Sequence, residues 1–197
     1  MRIAIVIGST RPGRRGDQVA EWVLEIAQRS QPAGVAYELV DVAEFELPLL
    51  VEPVPAAIGD YRHAHTRRWA QTIDGFDAFV FVTPEYNHAL PAAVKNAIDY
   101  LFAEWNDKAA GFVSYGLHGG VRAVEQLRLA LAEVKVACVR TQVVLSLFDD
   151  FTIDHMTEPG TFTPAERHQH TLERMLGEIA AWAGALQPLR ADATSEQ

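Results

Sequence analysis

This sequence of 197 residues is poor in cysteine and has no long apolar run. Its single cysteine, Cys138, cannot form an intrachain disulfide, and its apolar neighbours favour a small buried side chain over a reactive thiol. No apolar stretch approaches the roughly 18 residues that a membrane-spanning helix needs. The first apolar run, Ile3–Ile7, is too short for a secretory signal and has no cleavage site after it. We therefore expect a cytoplasmic protein.

Positive charge is also scarce, with 17 basic against 26 acidic residues and a net charge of −9. Because phosphate backbones are bound by basic surfaces, this balance argues against nucleic acid as a partner. The apolar share of 49% and the charged share of 22% are typical of a globular domain. We predict one domain over residues 1–187, followed by a polar tail over residues 188–197 that is frayed from Arg190.

Strand and helix patterns alternate along the chain. Apolar runs predict five strands, over Arg2–Ile7, Val35–Val42, Asp77–Thr83, Ala109–Tyr115 and Ala137–Leu147. Helical periodicity follows each strand, over stretches that include Tyr61–Ile73, Ala92–Leu101 and Gly120–Val134, and the last helix begins at a capping box at Thr163. Five such units predict an α/β fold with a parallel sheet and helices on both faces. A closed barrel needs about 250 residues, so an open, doubly wound sheet fits better.

The loop after the first strand has the composition of an anion-binding loop. Residues 8–18 combine glycines and small hydroxyls with Arg11, Arg14 and Arg15, and a helix follows directly. The N-terminus of a helix presents unpaired N–H groups and a partial positive charge to a phosphate. The loop matches neither the Gly-x-Gly-x-x-Gly nor the Gly-x4-Gly-Lys-Ser/Thr pattern, which argues against dinucleotide-fold dehydrogenases and nucleoside triphosphatases. The alternative is an ordinary turn with solvated arginines.

The loops after the third and fourth strands suit a flat ring. Pro84-Glu85-Tyr86-Asn87 brings an aromatic ring and an amide to the end of a buried strand. Ser114–Gly120 holds three glycines in five residues, which lets a planar group approach the backbone; the alternative is a flexible turn. In the flavodoxin-like strand order 2-1-3-4-5 these loops and the first are neighbours at the switch point where FMN binds. A single FMN matches all three.

These three loops together resemble the NADPH-dependent FMN reductases, a family that includes quinone, chromate and azo-dye reductases. The resemblance rests on Gly8-Ser9-x-Arg11, on Pro84–Asp99 with its Pro-Glu-Tyr-Asn start, and on Ser114–Gly120, and it extends over about residues 1–185. It implies that the FMN phosphate is held by Ser9, Arg11, Arg15, Gly16, Asp17 and Gln18. It implies that the ring is lined by Pro84, Glu85, Tyr86 and Asn87, with Ser114, Tyr115 and Gly116 on its other edge. Ala89 departs from the serine that many members have there.

The expected activity is transfer of a hydride from NADPH or NADH through bound FMN to a flavin, quinone or similar small acceptor. Because the cofactor carries the redox chemistry, we predict no catalytic acid, base or metal residue. The pair Arg14 and Arg15 mildly favours NADPH over NADH. The alternatives are a flavodoxin-like electron carrier and a flavin-based redox sensor. The family resemblance also implies a homodimer or a dimer of dimers.

Four further features are interpreted structurally. In the pairs His63/His65 and His168/His170, two-residue helical spacing points the side chains apart, which argues against a metal site. His88 and His118 lie in the site loops and are expected to be surface residues without a role, the alternative being contact with a nicotinamide or quinone. Trp105 belongs either to the core or to a subunit interface. The acidic segment Phe148–Phe162 is expected to be a solvated loop.

Overall fold

The computed structural model describes residues 1–30, 34–155 and 157–195, with side chains up to residue 190. Five strands form the main sheet: β1 (Arg2–Ile7), β2 (Ala36–Asp41), β3 (Ala78–Pro84), β4 (Lys108–Gly116) and β5 (Val136–Ser146). The helices are α1 (Gly16–Ser30), α2 (Ala64–Asp74), α3 (Ala92–Asp99), α4 (Val121–Glu133) and α5 (Glu166–Ser195). Two short strands, β6 (Phe151–Thr152) and β7 (Thr161–Phe162), lie between β5 and α5.

The strand order β2-β1-β3-β4-β5, with every pairing parallel, confirms the predicted flavodoxin-like fold. Each end of the five predicted strands lies within one residue of the observed end. Thr83 pairs with Ser114 and Pro84 with Tyr115, so β3 and β4 end side by side. Their following loops therefore start from adjacent points on one edge of the sheet.

Each face of the sheet is covered by its own set of helices. On one face, α1 and α5 bury Val19, Val23, Met175 and Ile179 against the strands. On the other face, α2, α3 and α4 pack with the aromatic side chains of β3 and β4. The strands of a sheet buried on both faces are continuous apolar runs, which is why the sequence pattern located them well.

Trp105 belongs to the second of these cores. Its side chain is fully buried, with its ring 4.9 Å from Phe79 and 6.0 Å from Trp69, and its Nε1 donates to the carbonyl of Ile98 at 3.3 Å. Of the two readings of the polar turn around it, the structure selects the core contact. An interface role for this side chain is wrong.

Helix α2 begins three residues later than predicted. The carboxylate of Glu52 accepts the backbone N–H groups of Arg62 and His63, which keeps these residues out of the helix. His63 is therefore the extended residue before the first turn, and its ring stacks on His65 at 5.2 Å. The expectation that these two rings point apart is wrong, because only one of them is in the helix. Among the described residues, no three His, Cys, Asp or Glu side chains cluster as metal ligands would.

The segment Phe148–Phe162 is only in part the solvated loop that was expected, since Asp149, Asp154 and Glu158 are exposed but the segment also contains β6 and β7. β6 and β7 pair as an antiparallel hairpin, and Phe162 packs edge-on against Trp22 of α1 at 5.5 Å. Asp150 is buried and lies 3.0 Å from the Nε2 atom of His168. Its carboxylate also accepts the backbone N–H of Ser146. Tertiary contacts therefore order a segment whose local composition predicted solvation.

The C-terminal stretch also differs from expectation, since α5 continues to Ser195 rather than ending at the predicted tail. Arg190 donates to the backbone carbonyl of Asp107 and to the carboxylate of Asp77, which fixes this part of the helix to the sheet. Residues 196 and 197 lie outside the described part of the chain. None of the helices in that part is both long and apolar enough to cross a bilayer.

Cys138 lies on the edge strand β5 and is partly buried. Burial raises the pKa of its thiol to about 11, and the nearby Arg128 only partly offsets this shift. The thiol is therefore protonated at neutral pH, which agrees with a structural role.

Candidate functional site

The loops after β1, β3 and β4 meet at the carboxyl edge of the sheet, as the sequence predicts. The hydroxyl groups of Ser9 and Tyr86 lie 2.8 Å apart and join the first two loops. The backbone N–H of Glu85 donates to the carbonyl of Tyr115 at 3.2 Å and joins the second to the third. Since each loop is bonded to its neighbour, the three form one continuous surface.

The loop after β1 is held in shape by Arg14. Its guanidinium donates to the carbonyl of Ser9 at 2.6 Å and to the carboxylates of Asp17 and Asp41. The hydrogen bond to Asp41 raises the pKa of this guanidinium. Its Nε, Nη1 and Nη2 atoms all donate to these groups and its side chain is only 14% exposed, so Arg14 stabilises the loop. The preference for NADPH was inferred from the pair Arg14 and Arg15. Because Arg14 is engaged within the protein, it no longer supports that preference.

Two other arginines of this loop retain binding capacity. Arg11 is exposed, and within the described part of the chain its guanidinium has no hydrogen-bond or ionic partner. Arg15 donates through Nη2 to the carbonyl of Glu158, whereas its Nε is buried without an acceptor. Both charges lie beside the N-terminus of α1, which itself attracts anions.

Asp17 and Gln18 occupy the first turn of α1 and have side chains committed to the protein. Asp17 pairs with Arg14 at 2.6 Å. The amide of Gln18 donates to the carbonyl of Gly160 and accepts the N–H of Phe162, so it anchors the β6–β7 hairpin. What these residues offer a phosphate is their backbone N–H groups, because the first turn of a helix lacks internal acceptors for them.

The loop after β3 contains a preformed two-residue turn. Tyr86 and Ala89 exchange two backbone hydrogen bonds of 3.0 Å. Between them, Asn87 and His88 have φ angles of 50° and 66°. Such a turn needs positive φ at both central positions, which asparagine tolerates better than other residues. It holds Asn87 exposed at the mouth of the site, and His88 is exposed beside it.

Glu85 joins the loop after β3 to α4. Its carboxylate accepts the backbone N–H of Arg122 at 3.1 Å and pairs with the guanidinium of the same residue. An acidic group at the N-terminus of a helix is stabilising. Pro84, buried at the end of β3, completes the base of the loop.

The loop after β4 is shaped by close contacts between its own residues. The hydroxyl of Ser114 donates to the carbonyl of Gly119 at 2.5 Å and accepts the amide of Gln142 at 2.9 Å. A Cβ atom on Gly116 would lie 3.3 Å from the backbone nitrogen of Gly120. The loop therefore presents mainly backbone to a ligand.

The side chain of Tyr115 does not face that loop, although the family resemblance implied that it lines the ring. Its side chain points to the opposite face of β4 and is 5% exposed. A Cβ atom on Gly16 would lie 3.0 Å from its hydroxyl, so the ring ends beneath the first residue of α1. The hydroxyl is buried and has no hydrogen-bond partner among the described residues, and burial raises its pKa further above its usual value.

The sequence argument missed several residues that hold the site together: Asp41, Arg122, Gln142 and the carbonyls of Glu158 and Gly160. For Asp41 a signal existed, since it ends the strand that pairs with β1. The others come from distant segments that carry no motif.

The donors of this site fit the phosphate of FMN. Arg15 Nε and the Tyr115 hydroxyl are buried donors without an acceptor, next to a helix N-terminus and the exposed Arg11. A dianionic phosphate supplies the acceptors that these groups lack. The residues present therefore agree with an FMN site.

Comparison with known proteins gives the same result. Residues 1–150 match the model of the NADPH-dependent FMN reductase family. An NAD(P)H-dependent FMN reductase of Schizosaccharomyces pombe is 36% identical over 182 residues, which are 91% of this chain and 88% of that protein. A quinone reductase of Pseudomonas putida is 32% identical over 160 residues, covering 75% and 81% of the two chains.

Among solved structures, FerB, a flavoenzyme NAD(P)H:acceptor oxidoreductase from Paracoccus denitrificans, superimposes with a TM-score of 0.71 at 20% identity. The superposition covers 93% of this chain and 97% of FerB, and it shows a shared fold. The family model matches about three quarters of the length of this chain. The chain therefore belongs to the NADPH-dependent FMN reductase family.

Proposed function

We propose that this protein is an FMN-containing oxidoreductase that passes a hydride from NAD(P)H to a small acceptor. The observation that carries the proposal is the meeting of an arginine-bearing helix N-terminus with two peptide loops at one edge of the sheet. The family membership and the flavin-reductase relative support it.

The residues of the chain bind the cofactor and orient it. Arg11, Arg15 and the first turn of α1 hold the phosphate, while Tyr86, Asn87 and the backbone of Gly116 line the ring. Bound FMN supplies the capacity to accept a hydride and release it. No acid or base is assigned, because the turn at Tyr86–Ala89 and the loop after β4 need only hold the ring and leave one of its faces open.

We expect the purified protein to be yellow and to release about one FMN per subunit on acid treatment. When mixed with NADPH or NADH and a quinone, it should consume the nicotinamide, followed by absorbance at 340 nm. Steady consumption separates a reductase from an electron carrier, which would not oxidise NAD(P)H by itself. Absence of flavin, or release of FAD in place of FMN, would refute the proposal.

A quinone is a second candidate acceptor beside a free flavin. The Pseudomonas putida relative, named a quinone reductase, supports it at 32% identity. A steady-state panel of flavins, quinones and azo dyes would rank the acceptors by kcat/KM. The same panel run with NADPH and with NADH decides the donor.

We further propose that the protein is cytoplasmic and forms a dimer or a dimer of dimers. Exposed apolar side chains cluster around the ends of β4 and β5, with Leu117 56% and Phe148 76% exposed. These loops are neighbours, since the N–H of Leu147 donates to the carbonyl of Gly116. Exposed apolar patches of this kind mark interaction sites, and burial there would shield the flavin ring from water.

Light scattering at micromolar concentration should give a mass of at least two chains for the wild type. Phe148→Asp should shift the mass toward one chain, because it places a charge in the contact. Ile58→Asp is the matched control, since Ile58 is 69% exposed in a different loop. A wild-type mass near the 21.8 kDa of one chain would contradict the proposal.

A further inference from the structure

The Tyr115 hydroxyl is a polar group with an unusual environment. It is buried, it has no hydrogen-bond partner among the described residues, and its ring packs near Phe151 of the hairpin. Leaving such a group unpaired is destabilising, so native structures rarely contain one without a reason. A tyrosine hydroxyl is protonated at neutral pH, and burial raises its pKa further, so it has a proton to donate.

The position of this hydroxyl indicates what it donates to. It lies against Gly16, at the first residue of α1, where Tyr86, Asp17, Arg14 and Arg15 contribute to its electrostatic environment. Arg15 Nε, in the same region, is also a buried donor without an acceptor. Two unpaired donors beside the N-terminus of a helix favour binding of an anion over binding of a neutral ring.

We propose that the Tyr115 hydroxyl donates a hydrogen bond to the phosphate of FMN and not to its ring. This inference rests on the proposed function. It moves Tyr115 from the ring edge, where the family resemblance places it, to the phosphate end of the site. It also explains why residue 16 is glycine, since a Cβ atom there would lie 3.0 Å from the hydroxyl and block its path.

The test compares FMN with riboflavin, which has the same ring and ribityl chain but no phosphate. Flavin-free wild type and Tyr115→Phe are titrated with each flavin, and binding is followed by quenching of flavin fluorescence. We expect Tyr115→Phe to weaken FMN binding roughly 10- to 150-fold, as for loss of a hydrogen bond to a charged group. Riboflavin binding should change less than about twofold.

Two variants serve as controls. Arg11→Ala should also weaken FMN selectively, because Arg11 is the exposed charge at the same end of the site. Tyr37→Phe should change neither affinity, since Tyr37 is a buried tyrosine on β2 that lies far from the loops. Thermal unfolding of each variant checks that the fold persists.

The outcomes are distinguishable. Equal weakening of FMN and riboflavin would place the hydroxyl on the ring or ribityl chain and overturn the inference. Unchanged FMN affinity would make Tyr115 a packing residue and overturn it as well. If the wild type binds neither flavin, the proposed function itself fails; if it binds both and only this selectivity is missing, the proposed function stands without the inference.

Discussion

Replacing Gly120 by alanine is expected to destabilise the protein by about 2–4 kcal/mol and to weaken FMN binding. Gly120 has a φ of 72°, a conformation that side chains disfavour by roughly 1–2 kcal/mol. A Cβ atom there would also lie 3.0 Å from the carbonyl oxygen of Tyr115 and 3.1 Å from its backbone nitrogen. These are backbone atoms of β4, so the glycine loop would have to move. Urea unfolding and FMN titration measure the two effects.

Gly59→Ala is the matched control for this variant. Gly59 has a similar φ of 76°, but a Cβ atom there would meet nothing within 4 Å. It therefore isolates the backbone strain, expected at about 1–2 kcal/mol without a change in FMN affinity. Equal effects of the two variants would mean that the close packing of Gly120 against β4 contributes nothing.

Trp105→Ala is expected to destabilise the protein by about 3–5 kcal/mol, as for removal of a large aromatic side chain from a packed core. The ring is fully buried among Trp69, Phe79 and Phe81, and its removal also deletes the hydrogen bond that its Nε1 donates to the carbonyl of Ile98. Guanidinium unfolding followed by circular dichroism would measure the loss.

Trp182→Ala is the corresponding control, since its side chain is 47% exposed on α5 and its removal should change stability by less than about 1 kcal/mol. The native mass of the Trp105 variant, measured under conditions where it is folded, should equal that of the wild type. A folded variant with normal stability but a lower mass would restore the interface reading and contradict the core contact.

The sequence predicted the sheet and the location of the site because both depend on local patterns. Strands buried on both faces are continuous apolar runs, and β1 and β3 were located within about one residue. The loops that follow them start at one edge in any sheet of this order, so Ser9 and Tyr86 could be placed together before their 2.8 Å contact was seen.

The directions of the side chains within the site could not be predicted from the sequence. The sequence does not distinguish Arg11, Arg14 and Arg15 from one another. In the structure Arg14 forms ion pairs with Asp41 and Asp17, whereas Arg11 is exposed. Which arginine meets a carboxylate depends on β2 lying beside β1, a pairing between segments that are some 30 residues apart. The composition of the loop therefore does not indicate which arginine forms the ion pair.

What the sequence by itself determined was the fold, the family and the edge of the sheet where the three loops meet, because apolar periodicity and loop motifs are local properties. Only the tertiary structure decided that Phe148–Phe162 forms a hairpin on α1, that Trp105 is core, and that the Tyr115 hydroxyl ends beneath Gly16. Each of these depends on packing between distant segments. The energy of such packing comes from burial and from hydrogen bonds that exist only once those segments are brought together.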